Sequence, residues 1–180
     1  MIGIAAVWIA LLLMGGGLAL DRVLKDAITQ NFDSQLEYVL TAMISSAEIG
    51  PDGEVRFNRP LGDQRFLEPY SGLYWQVSAR GQEPFRSRSL WDRALPTPTP
   101  QARDKVSIYD SEGSEQESLR IHERILRLPG SPVMWRFQVG QSRKELDEQI
   151  AVLRKTLIRS FLLLGVGLTA IAALQATYGL

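Results

Sequence analysis

Hydrophobic and polar positions divide the chain into three stretches. Met1–Leu20 is an apolar run, Asp21–Arg159 alternates apolar and polar residues with a changing period, and Ser160–Leu180 is apolar again. A helix rises about 1.5 Å per residue, so about 20 apolar residues cross a hydrocarbon core of about 30 Å. Residues 1–20 and 160–180 therefore read as two transmembrane helices, with Trp8 and Tyr178 as aromatic residues for the interface. The first has no basic n-region and exceeds the usual leader core of about 7–15 residues. It reads as a retained anchor, although Gly17 and Ala19 have cleavage-like spacing. The missing basic flank points to a trimmed or mis-set start, and the stop at Leu180 to a following domain cut away. Two spans put both termini on one side, and residues 21–159 on the other as an extracytoplasmic domain.

Within that domain the period changes from helical to strand-like and back. Leu24, Ile28, Phe32, Leu36, Leu40 and Met43 recur every three to four residues, so an amphipathic helix is expected over 21–46, continuous with the first span. It ends before the turn Gly50-Pro51-Asp52-Gly53. The region 54–140 reads mainly as strands. Val55–Phe57 is short, while Leu73–Ala79 places Leu73, Trp75, Val77 and Ala79 on one face. Gly81 turns the chain into a returning strand over Pro84–Leu90. Pro96, Pro98 and Pro100 then make Leu95–Pro100 an exposed extended loop. Further strands are expected over Val106–Tyr109, Leu119–Leu128 and Val133–Val139, the last with Val133, Trp135, Phe137 and Val139 on one face. Over 143–159, Leu146, Ile150, Leu153 and Leu157 form a coiled-coil seam that runs into the second span and serves as the signal-transmitting helix. Helix, about five strands, helix makes an α+β domain on two membrane legs. A seam just outside the membrane needs a partner, either the other leg or a second subunit, and two such pairs would form a four-helix bundle around the twofold axis of a homodimer.

Charge and composition narrow the chemistry. Twenty Lys and Arg balance twenty Asp and Glu, all between Asp21 and Arg159, which argues against a nucleic-acid-binding domain. The absence of Cys excludes disulfides, a thiol nucleophile and thiolate metal sites, and a single His excludes a multi-His metal site. No phosphate-binding glycine loop, dinucleotide fingerprint, zinc-protease motif or serine-hydrolase elbow is present. No catalytic residue is therefore expected in these 180 residues. His122-Glu123-Arg124 through Pro129 faintly echoes a phosphoacceptor box. It lies between the spans in a strand-like segment, so His122 reads as a structural or surface histidine.

Three groups remain as candidate sites. Asp110, Glu112, Glu115 and Glu117 put four carboxylates in eight residues, a candidate divalent-cation site whose commoner role is a solvated hairpin loop. Arg86, Arg88 and Arg93 surround Trp91; period-2 spacing puts Arg86 and Arg88 on one face, where they would meet an anion or pair with carboxylates. Tyr74, Trp75 and Trp91, with Arg86 and Arg88, are the candidate ligand-binding set, although aromatics in such strands more often pack a core. Arg143, Lys144, Arg154, Lys155 and Arg159 approach the membrane on a helix, where they would snorkel to headgroups.

The order of span, helix, small domain, helix and span, together with Phe66-Leu67-Glu68-Pro69-Tyr70-Ser71-Gly72-Leu73-Tyr74-Trp75-Gln76-Val77 and Arg86-Ser87-Arg88-Ser89-Leu90-Trp91-Asp92, resembles the N-terminal sensor region of bacterial two-component histidine kinases. The resemblance implies a PAS-like periplasmic sensor fold, a central antiparallel sheet flanked by helices, in a homodimer at the inner membrane. It also implies an unidentified small ligand or cation. The acidic run invites comparison with cation-sensing members. No cofactor is expected within these residues; ATP and Mg would belong to a kinase core beyond them, which autophosphorylates and passes the phosphoryl group to a response regulator. The parent protein would then be an ATP-dependent histidine kinase. A chemoreceptor-type sensor with another output, or an envelope assembly protein anchored by two spans, are the alternatives.

Overall fold

A computed structural model describes residues 2–98 and 105–178. Its elements are two long helices, α1 (Ile2–Ser46) and α2 (Lys144–Tyr178), and seven strands: β1 (Ala47–Ile49), β2 (Val55–Phe57), β3 (Leu73–Ala79), β4 (Phe85–Arg86), β5 (Ser107–Glu112), β6 (Ser118–Arg127) and β7 (Met134–Ser142). β1 and β2 form a small antiparallel pair, and the others an antiparallel sheet in the order β4-β3-β7-β6-β5. The chain is thus α+β, with two long apolar helices bracketing a five-stranded antiparallel sheet in sequence. It divides into two compact units, Met1–Gln30 with Leu146–Leu180, and Asn31–Glu145.

In the first unit, α1 and α2 are both long and apolar enough to cross a membrane. Ala6, Leu13, Gly17 and Asp21 of α1 face Leu157, Phe161 and Gly165 of α2 along a shared, mostly apolar groove of about 950 Å³. A Cβ at Gly165 would stand 3.2 Å from the Leu13 methyl, so the small residue sets how closely the helices approach. Within α2 the less exposed positions Ile150, Leu153 and Leu157 recur at seam spacing and continue to Phe161.

In the second unit, residues paired across strands share a face. Trp75, Val139 and His122 stand side by side, as do Val77, Phe137 and Arg124. This face receives α1, whose Phe32, Leu36, Leu40 and Met43 are buried. Each buried side chain of that size contributes about 1.5–3 kcal/mol, so the helix is held by its apolar stripe and not by intrinsic propensity. Phe57, Trp75 and Phe85 extend this core, with the Trp75 ring edge-on to Phe57 at 5.0 Å and to Phe85 at 4.9 Å. On the opposite face Tyr74, Leu90, Leu95, Leu119 and Ile121 form a second cluster, joined by Tyr109.

Several elements differ from what periodicity predicts. β1 is unforeseen; it pairs with β2 around the turn closed by Gly53 N–H donating to Gly50 O at 2.9 Å. β4 holds only two residues, and a 3-10 turn follows over Arg88–Leu90. Serines take over the ladder there: Trp75 N–H donates to Ser87 Oγ at 3.1 Å, and Ser89 Oγ donates to Leu73 O at 2.7 Å. The alternation that would align Arg86 with Arg88 therefore stops at Arg86. β5 continues through Asp110 to Glu112, and β7 through Ser142. The expected exposed loop instead buries Leu95 and is tied down, with Gln138 Nε2 donating to Pro96 O at 2.8 Å and Arg136 Nη2 to Pro98 O at 3.3 Å. Thr99 and Pro100 lie outside the described residues.

Candidate functional site

One end of the sheet gathers the start of β3, the start of β6, the end of β5 and the end of β7. Gly72, with φ +87°, turns the chain into β3, and a Cβ there would meet the Ser142 side chain at 3.3 Å. Ser142 N–H donates to Gly72 O at 2.7 Å and Arg143 N–H donates to Ser118 O at 2.8 Å. These bonds fasten the last residues before α2 to the loops at this end.

Arg93 is the hub of those loops. Its guanidinium lies 4.1 Å above the centre of the Tyr70 ring, a cation–π contact. It pairs with Glu115 at 2.6 Å and reaches Glu117 at 3.9 Å. Tyr70 Oη donates to Asp92 Oδ1 at 2.7 Å, and Tyr74 Oη donates to Glu117 Oε2 at 3.0 Å. Burial, reinforced by Glu117, pushes the Tyr74 hydroxyl up to about 12. The hydrogen bond from Tyr70 holds Asp92 below the usual carboxylate range.

Backbone strain collects in the same place. The non-glycine residues at positive φ are Tyr70 (58°), Trp91 (52°), Glu115 (62°) and Gln116 (62°) among the described residues. Such conformations cost about 1–3 kcal/mol each and cluster at ligand clamps and switches. Of the Arg93 partners, Glu115 is the loosely held one: its side chain is 79% exposed, against 25% for Glu117 and 17% for Arg93 itself. Trp91 is also exposed. The arrangement offers a semi-buried guanidinium, an aromatic floor and a displaceable carboxylate.

The sequence-predicted residues are redistributed. Tyr74 and Trp75 lie on opposite faces of β3: Tyr74 joins the Arg93 cluster, and Trp75 is core. Arg86 donates from Nη1 to the Arg93 carbonyl at 2.8 Å, while Arg88 stands in the 3-10 turn. The four carboxylates do not converge; among the described residues no three metal-capable side chains come together. Strand alternation and arginine pairing separate them: Glu115 and Glu117 turn to Arg93, Asp110 to Arg120 and Arg143, and Glu112 is exposed at the end of β5. Tyr70, Asp92 and Arg93 are missing from the candidate ligand-binding set; in the sequence Arg93 shows only as one of the arginines around Trp91, and Tyr70 and Asp92 only within the two motifs that carry the family resemblance.

A second polar network joins helix to sheet. Arg120 grips Asp33 of α1 through Nε (2.6 Å) and Nη2 (2.7 Å), and its Nη1 donates to Asp110 at 3.1 Å. Asp110 also accepts from Arg143 Nη1 at 2.8 Å. The chain α1–β6–β5 therefore ends on the residue immediately before α2.

The family model described as two-component sensor kinase N-terminal matches residues 9–152. No curated relative and no solved structure matches the chain. The matched stretch takes in most of the apolar start of α1, the whole sheet with the Arg93 cluster and the first turns of α2, and on that extent the chain belongs to the two-component sensor kinase N-terminal family.

Proposed function

We propose that this chain is the signal-sensing and signal-transmitting part of a two-component sensor histidine kinase, with Asn31–Glu145 as a PAS-like periplasmic sensor between two inner-membrane spans. It works as a homodimer, and its output is phosphoryl transfer, in a kinase core beyond these residues, to a response regulator. The observation that carries this reading is the covalent and hydrogen-bonded continuity at one sheet end. The strained Arg93 cluster, the Gly72–Ser142 bond and the Asp110–Arg143 pair all adjoin the point where β7 gives way to α2. A ligand carrying an anionic group and an apolar surface competes with Glu115 for Arg93 and packs on the exposed rings of Tyr70 and Trp91. The β5–β6 tip relaxes, and α2 shifts or rotates through the seam Leu146, Ile150, Leu153 and Leu157. Only a ligand that prefers one packing over the other drives this change.

The test is made in the natural kinase. Leu153→Gly, which loosens the helix within the seam, is expected to leave ligand binding intact and to abolish stimulus-dependent autophosphorylation. Normal signalling by that variant would overturn the rigid-helix transmission. Glu115→Gln is expected to shift the stimulus response to lower ligand concentration, and Arg93→Gln to remove it.

A further inference from the structure

His122 is the one histidine in the chain, and it is completely buried on the α1 face of β6. Its Nε2 lies 3.1 Å from Asp33 Oδ1, the same oxygen that accepts from Arg120 Nε. Its Nδ1 is buried with no hydrogen-bond partner. The neutral ring that donates from Nε2 suits this setting, because Nδ1 then carries only a lone pair. A protonated ring would add an Nδ1–H with no acceptor, and a charge next to Arg120.

The surrounding charges make that addition costly. From α1, Asp33 and Glu37 face the ring; from its own strand, Arg120 and Arg124 share its face; the directly paired residues on β5 and β7, Ile108 and Val139, are apolar. Asp33 and Asp110 are already matched by Arg120 and Arg143. An imidazolium would gain from Asp33, whose charge Arg120 already shares, and more weakly from Glu37, against its burial and the repulsion of Arg120.

We propose that His122 is a proton-operated latch on the docking of α1: the neutral ring helps hold the helix on the sheet through Asp33, and protonation weakens that hold. Burial pushes the His122 pKa below its ordinary 6.5, opposed in part by Asp33, in keeping with this geometry. The undocked state binds the proton more tightly than the docked one, so docking is favoured above 6.5 and weakens as the pH falls. If the docked ring stays neutral, linkage sets the weakening at about tenfold one pH unit below the undocked value. The stimulus is then hydrogen ion itself, separate from any ligand at Arg93, and it acts on α1 without passing through the β5–β6 tip.

The full chain in lipid nanodiscs tests this. Amide hydrogen exchange over residues 31–46, corrected for the intrinsic pH dependence of exchange, is compared at pH 7.5 and 5.5, alongside an NMR titration of the single imidazole. The expected result is a docked pKa below 6.5 and about tenfold greater opening of this segment at pH 5.5, with the response absent in His122→Gln. Equal opening at the two pH values, an imidazole that titrates at or above 6.5, or the same response in His122→Gln would each overturn the latch. The wild-type titration alone decides the matter if the variant does not fold.

Discussion

Asp21 and Arg154, 133 positions apart in the chain, meet in a two-pronged ion pair in which Arg154 Nε and Nη2 each donate to a carboxylate oxygen at 3.1 Å. Asp21 is the first charged residue after the apolar start of α1, and Arg154 follows Leu153 in the seam of α2. A bidentate pair fixes distance and rotation together, so it specifies the register of the two helices. Asp21→Arg or Arg154→Asp alone is expected to shift that register, and the double swap to restore it. The check is disulfide crosslinking of cysteines introduced at Gly17 and Phe161, which face each other between the helices, measured in membranes, with efficiency falling in each single variant and recovering in the double.

The docking of α1 on the sheet rests on very few side chains. Leu36 is 1% exposed, and truncation to Ala removes packing that a rigid helix–sheet interface does not refill. Leu36→Ala is expected to lower the unfolding free energy by about 2–5 kcal/mol, read by denaturant unfolding in detergent, while Tyr38→Ala on the outward face changes it by less than about 0.5 kcal/mol.

Strain at the β5–β6 tip makes an unusual prediction about glycine. Gln116 sits at φ 62° with its side chain exposed. A left-handed conformation costs an ordinary residue about 1–2 kcal/mol, and glycine avoids this while losing about 0.5–1 kcal/mol to chain entropy. Gln116→Gly is therefore expected to leave the unfolding free energy unchanged or raise it by up to about 1.5 kcal/mol. A loss larger than 1 kcal/mol in the same unfolding experiment would contradict the strained tip.

Acid stability carries two signatures. The hydrogen bond from Arg120 holds Asp33 below its ordinary 3.8, and burial holds His122 below 6.5. Both groups are lowered, so both contribute stability above their unfolded values and lose it as the pH falls through their folded ones. The thermal midpoint is expected to decline from about pH 6.5 downward through His122, then more steeply below about 3.8 through Asp33 and the similarly lowered Asp63 and Asp92. His122→Gln removes the first decline and spares the second; Asp33→Asn reduces the second. Thermal scans across pH in detergent distinguish them.

Much of the scaffold is legible in residue order because it depends on local periodicity. The stripe from Leu24 to Met43 needs only the 3.6-residue repeat to become helix, and Leu73–Ala79 only the two-residue repeat to become β3. β1 escapes because three residues, Ala47-Glu48-Ile49, are too few to show a period; pairing with β2 makes them a strand. β4 is overrun because Ser87 and Ser89 bond β3 through hydroxyls that a hydrophobicity pattern does not register. The Arg93 cluster is the least legible part. It forms where Tyr70, Asp92, Arg93, Glu115 and Glu117 are brought together by left-handed residues in three separate loops, and no spacing along the chain encodes that meeting. The acidic run shows the converse. Its carboxylates are close in sequence, yet β5 and the arginines disperse them to different partners.

The two margins of the sheet carry a further consequence. On one side β4 offers only two residues before it curls away, and on the other β5 presents the exposed carboxylates Asp110 and Glu112. Short or charged borders resist zipping onto a foreign strand. Copies crowded into one patch of bilayer thus have poor templates for cross-β growth, and self-association is steered toward helical faces. Overproduced protein of this kind should precipitate, if at all, as amorphous material without thioflavin fluorescence.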